Sequence, residues 1–222
     1  MRIPAPRELA ELPYAHRLEP FTGPMERPGA YESVHFDGSV LEDAEGGRSL
    51  FSESAFSSAV FERGSFRRSR FDDVWLHGVR VVGTELADTT WLDAEFTAGV
   101  LAGVEAHDAE LRRVVFHQCK LDSVNLRGAT LREVVFVDCL LRDVDFGGAA
   151  LTDVRFPGST LERARFERAR PTKVDLRDAT ALGIAAGLGD LGGATISTPQ
   201  LFDLAPALAG HIGLIVEDDR DD

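Results

Sequence analysis

The sequence holds only two cysteines in 222 residues. That is too few for a disulfide framework, so both thiols are expected to stay reduced. No stretch approaches the roughly 18 consecutive apolar residues of a membrane-spanning helix. The opening MRIPAPRELAELPY lacks the basic-then-apolar layout of a secretory signal. Together these absences predict a cytoplasmic chain with no membrane association. Positive charge is outnumbered, with 24 Lys and Arg against 37 Asp and Glu. The formal net charge is −13 at pH 7, which argues against direct nucleic-acid binding, since that needs a basic footprint.

Catalytic signatures are missing too. There is no metal-ligand spacing, no glycine loop to cradle a phosphate and no nucleophile elbow. The histidines are scattered. His107 stands beside Asp108 and Glu110 on a polar surface, where such a trio is ordinarily just solvated. His77 and His117 are forty residues apart in sequence. No catalytic residue, metal site or cofactor is expected.

What the sequence does have is a period of five. Every fifth residue from Phe36 to Leu176 is Phe, Leu, Val or Trp, except Gly46, Ala106 and Pro171, and twelve of the 14 Phe lie on this lattice. Two residues before each of these sites stands Ala, Ser, Thr, Val, Gly or Cys, from Val34 to Val174. No charge falls in either column. Five is the period of neither a helix nor a strand. Positions two apart face the same side of an extended segment, but the next small position, three residues on, has the wrong parity. The chain must therefore turn once per unit. Four such turns close a square coil of about 20 residues, and coils stack at the parallel-strand spacing of roughly 4.8 Å. The prediction is an all-β solenoid of about seven coils with a small C-terminal helical cap.

Units such as CKLDS, VNLRG, ATLRE, VVFVD, CLLRD and VDFGG resemble the repeat of the pentapeptide-repeat family, small–polar–Leu/Phe–polar–polar. The resemblance covers residues 34–178 and implies a right-handed quadrilateral parallel β-helix. Stacking then places residues 20 apart above one another. Phe36, Phe56, Leu76, Phe96, Phe116, Phe136, Phe156 and Leu176 should form an axial ladder. Ala106 underfills its layer, a space that Trp91 could occupy. Cys119 and Cys139 fall on one face in adjacent coils, as small apolar fillers.

The flanks fit no lattice. Residues 1–33 read as an irregular proline-rich cap with one short helix around residues 7–12. The motif at Glu45, Gly46 and Gly47 predicts a loose first coil, and Pro171 breaks the pattern. Residues 179–216 read as a C-terminal cap or dimerisation element. Ser197 or Thr198 should cap a helix with Pro199 at its first position. Pro206 should kink it or split it into two short helices, and Gly210 should stop it. Residues 213–216 read as a short buried strand or extended segment, and residues 217–222 as an acidic tail. Leu201, Leu204, Leu208 and Ile215 give this region apolar surface for a homodimer seam.

Two functional readings follow. One is a non-enzymatic scaffold that binds a protein partner through the solenoid surface, where Trp75, Val115, Val135 and Val137 face outward. The other comes from the resemblance to the Qnr and MfpA branch, whose members act on DNA gyrase and resemble duplex DNA. Its candidate surface is the acidic run within residues 81–111: Glu85, Asp88, Asp93, Glu95, Glu105, Asp108 and Glu110, with no Lys or Arg between them. Glu85 should stack on Glu105, and Asp88 on Asp108.

Overall fold

In the computed structural model, which describes residues 4–216, the five-residue units wind into a parallel β-helix of about eight turns closed by one C-terminal helix. Through the body of the coil, strand residues pair with those 20 further on: Phe96 with Phe116, Leu101 with Leu121, and Leu111 with Leu131. Short strands of mostly three residues form three of the sides. The fourth is held by single bridges, Glu45 to Ser65 through Asp145 to Arg165. The strand Thr130–Val137 bends around a corner and joins two sides into one sheet.

Corners explain the polar columns. The second residue after each large core position adopts left-handed backbone, as at Asp43, Arg63, Asp93 and Arg113, with glycine at Gly83, Gly103 and others. Left-handed backbone costs a non-glycine residue roughly 1–2 kcal/mol. The corner N–H groups offset it by bonding to the next coil, as Arg63 to the Val82 carbonyl and Asp93 to the Arg112 carbonyl. The core on the other side of the chain supplies the rest.

That core is a set of stacked columns. Phe96, Phe116 and Phe136 stack face to face with ring centroids 4.6 and 4.9 Å apart. Phe51, Phe71 and Trp91 continue a second column at 4.7 and 3.8 Å. Trp91 lines the same apolar void of about 40 Å³ as Ala106 but does not fill it. Gly46 does not loosen its coil. A side chain there would collide with the Phe66 ring, which occupies the space instead. Pro171 stays in the ladder opposite Leu151, on a strand paired along only one edge, where a missing N–H is tolerated.

Cys119 and Cys139 are free and buried. They do more than fill space. The backbone N–H groups of Gly99, Cys119 and Cys139 donate in turn to Cys119 Sγ, Cys139 Sγ and Ser159 Oγ in the next coil. The small column thus also serves as an acceptor column. The contact with Cys119, and then burial, pushes the Cys139 thiol up and keeps it protonated.

Both ends depart from the sequence reading. The N-terminal segment is not wholly off the lattice. Tyr31 stacks on Phe51 at 4.9 Å and Phe21 on Phe36 at 4.4 Å, and Glu19–Pro20 pairs with Val34 and His35. The lattice therefore begins earlier than residue 34. At the other end, the strand Ala181–Ala186 adds a final rung whose register slips relative to Leu161 and Ala164.

The C-terminal helix, Thr198–His211, is capped by Ser197, with Gln200 completing a capping box. Gln200 Nε2 also donates to the Leu176 and Ala179 carbonyls and plugs the last coil. Pro206 does not split this helix, and the C-cap is Ile212 rather than Gly210. Proline removes one N–H bond, and the remaining bonds and the buried Leu204 hold the turn. Residues 214–216 are exposed and form no strand. The expected acidic tail, residues 217–222, lies outside the described residues.

Phe116→Ala should remove the middle ring of a stack and lower stability by about 3–5 kcal/mol, measured by denaturant unfolding. A variant with wild-type stability would contradict the stacked core.

Candidate interaction surface

The acidic run does not form one face. Glu85, Glu105 and the corner residues Asp88 and Asp108 lie along one side of the coil. Asp93 marks the next corner, Glu110 the next side and Glu95 the side after it, as the strand order requires. Glu85 does sit on Glu105, as expected.

No Lys or Arg lies between these carboxylates in sequence, but arginines from adjacent coils reach them. Arg67 bonds Glu85 at 3.1 Å and Asp88 at 2.9 Å. Arg113 grips Asp93 through two bonds of 2.6 and 2.7 Å. Glu105 accepts from Asn125 Nδ2 at 2.6 Å, and Asp108 lies 3.0 Å from His107. Only Glu110 has no polar side-chain partner among the described residues. The signal was present in the sequence: Asp43 and Arg63, Asp93 and Arg113, and Asp143 and Arg163 are pairs 20 apart at corners, and all three are ion pairs.

Glu95 is not a surface group at all. It is 7% exposed and is held by Arg7, whose Nε and backbone N–H both donate at 2.7 Å. Residues 4–18 form a strap over this side, through the 3-10 turns Leu9–Glu11 and Ala15–Arg17. Leu12 and Tyr14 pack against Ala55 and Trp75. Trp75, expected to face a partner, is instead 3% exposed, and its indole N–H donates to the Arg7 carbonyl at 3.1 Å. Val135 is buried as well, while Val115 and Val137 are half-buried. The outward apolar row is thus largely covered by the protein itself.

Of the expected dimer residues, Leu204 is buried at the base of the helix and cannot meet a second molecule; Leu208 is half-buried. Leu201 and Ile215 are exposed, together with Phe202, Ile212, Leu214 and Val216.

No group of three His, Cys, Asp or Glu side chains that could hold a metal ion exists among the described residues. No described helix is long and apolar enough to cross a membrane.

Coils with four short sides and a shared core define a parallel β-solenoid. A small and a large inward residue recur in every five, and residues 89–166 match the family model for a pentapeptide repeat region. No curated protein matches the chain. Among solved structures, a trypsin-treated variant of QnrB1, a plasmid-mediated fluoroquinolone resistance protein, is 15% identical. That alignment covers 86% of this chain and 99% of the other, with a TM-score of 0.37. HetL from Nostoc sp. strain PCC 7120, involved in heterocyst differentiation regulation, is 16% identical over 76% of this chain and 90% of its own, with a TM-score of 0.26. A pentapeptide repeat protein from the Arabidopsis thaliana thylakoid lumen is 22% identical over 54% of this chain and 66% of its own, with a TM-score of 0.29. Nothing about partners passes to this chain from these likenesses.

Two outcomes are expected. The guanidinium hydrogen bonds of Arg67, Arg163 and Arg177 hold Asp88, Asp143 and Asp175 below the usual carboxylate range. Their stabilising contribution is present above the ordinary Asp pKa of about 3.9 and is lost as pH falls through the lowered folded values. The urea midpoint should therefore drop below pH 4, and by less in Asp88→Asn. Second, the double substitution Arg7→Ala with Glu95→Gln should unlatch the strap. Tryptophan emission should shift to the red and acrylamide quenching should rise as Trp75 is uncovered, while Trp91 stays in the core. An unchanged spectrum would contradict the latch.

Proposed function

We propose that the chain is a non-enzymatic, cytoplasmic scaffold that works by binding another protein, as a homodimer joined at its C-terminal end. The observation that carries this reading is the placement of exposed apolar surface. Apart from Val40 and Leu50, every exposed large hydrophobic residue among those described lies in residues 201–216: Leu201, Phe202, Ile212, Leu214, Ile215 and Val216. Concentrated apolar exposure of this kind marks an interaction site. The seam differs from the one read in the sequence, with Phe202 replacing Leu204. Light scattering should give a dimer mass for the full chain. Phe202→Glu with Ile215→Glu should halve it with the coil intact by circular dichroism. A monomeric wild type would overturn the dimer.

The second reading, a DNA-mimicking modulator of DNA gyrase, draws support from the rod form and the overall charge of −13. Its surface narrows to Glu105, Asp108 and Glu110, because arginines neutralise Glu85, Asp88 and Asp93 and the strap buries Glu95. On this reading the wild type inhibits or protects gyrase in a supercoiling assay. The effect weakens steeply with salt, as exposed charges are screened beyond about 8–10 Å, and is lost in the Glu105→Gln, Asp108→Asn, Glu110→Gln triple variant. No effect at any ionic strength would leave the scaffold reading alone.

A further inference from the structure

Pro4 and Arg7 of the strap form one wall of a depression of about 370 Å³. Asp73, Asp93 and Arg113, a corner column, form the opposite wall, with Glu95 and Val115 beside them. Its volume is at the small end for ligand pockets, suited to one long side chain rather than a large molecule.

The charges inside do not pair off. Three carboxylates face two guanidiniums. Arg113 is committed to Asp93 and Arg7 to Glu95. One coil earlier in the same corner column, Glu53 is met by Arg17 of the strap at 2.6 Å. Asp73, between them, has no hydrogen bond or ion pair among the described residues. Burial pushes its carboxyl up from the ordinary value, and the charges of Asp93 and Glu53 add to this, against a downward pull from Arg7. Close by, the Tyr14 hydroxyl is fully buried and unpartnered. Its phenol is pushed up by burial and then by Asp73. The strap thus supplies a cation at Glu53 and another at Glu95 but leaves the carboxylate between them open to the depression.

We propose that this depression binds one cationic side chain, an arginine or lysine presented by another polypeptide, with Asp73 as the anion that receives it. The stem would lie against Pro4 and Val115, and the charged head would complete a column in which Glu53 and Asp93 already have their arginines. The proposal goes beyond the scaffold reading. It concerns a pocket remote in sequence from the C-terminal seam and holds whether the chain is monomer or dimer.

The test is an NMR titration of the isotopically labelled full chain at low ionic strength. The probe is N-acetyl-arginine methylamide, with the citrulline analogue as its neutral isostere. The arginine probe should give saturable shifts at the amides of Ala94, Glu95 and Val115, and the citrulline probe should bind at least about tenfold more weakly, as expected for loss of a charge-assisted bond. Asp73→Asn should lower affinity for the arginine probe by a similar factor. It should leave thermal stability unchanged or raised, because it neutralises a partly desolvated charge, and asparagine tolerates the left-handed backbone at this corner (φ 49°). Val115→Arg, which brings a guanidinium of its own to the depression, should block the probe independently. Equal binding of the two probes, shifts that do not saturate, or unchanged affinity in both variants would overturn the proposal.

Discussion

The constraint on which the structure rests is that each residue has its vertical neighbour 20 positions away. Nothing else in the chain enforces a core, because no single coil can bury its own large side chains. Once residues 20 apart are hydrogen-bonded, like sits on like. Phenylalanines become a stack, small residues become an acceptor column that passes backbone N–H groups from coil to coil, and corner residues become a line of charges at strand spacing. A like-charged line would oppose folding. This chain places arginine over aspartate at positions 43 and 63, 93 and 113, and 143 and 163, while Glu53, Asp73 and Asp93 stay in one column.

The same constraint governs what could be read in advance. The coil, its ladder and the burial of Phe116 and both cysteines were legible because a five-residue pattern leaves no other parity open. The ion pairs were legible in principle and missed, since scanning along residues 81–111 looks in the wrong direction. Charge neighbours in a solenoid are found across coils, so Arg67 and Arg113, outside that stretch, decide its electrostatics. The strap was not legible. Leu12, Tyr14 and Arg7 follow no period, and Trp75 on an outward position looks like any exposed aromatic until something is laid over it. Pro206 misled for a different reason: the sequence shows the lost N–H but not the buried Leu204 and capping box that keep the helix whole.

The candidate surfaces change character accordingly. A sequence count makes residues 81–111 an anionic patch, but in three dimensions it is a mixed field with a small acidic remainder. The apolar row that seemed free for a partner serves the fold. Apart from Val40 and Leu50, the exposed large apolar side chains among the described residues lie at the C-terminal end, past the Gln200 plug that ends the coil.

The strap has a mechanical consequence. In a solenoid each rung contacts only its neighbours, through hydrogen bonds, stacked core side chains and cross-coil ion pairs, so load applied end to end is carried one rung at a time and the weakest rung sets the limit. Residues 4–18 lie across the rungs. Leu12 and Tyr14 touch those of Ala55 and Trp75, and Arg7 is tied to that of Glu95. The early coils are therefore splinted in parallel with their own hydrogen bonds and must shear together, whereas coils beyond the latch can part singly. The rod is a composite with a stiff end and a compliant end, and bending or stretching would concentrate in the coils after Val115.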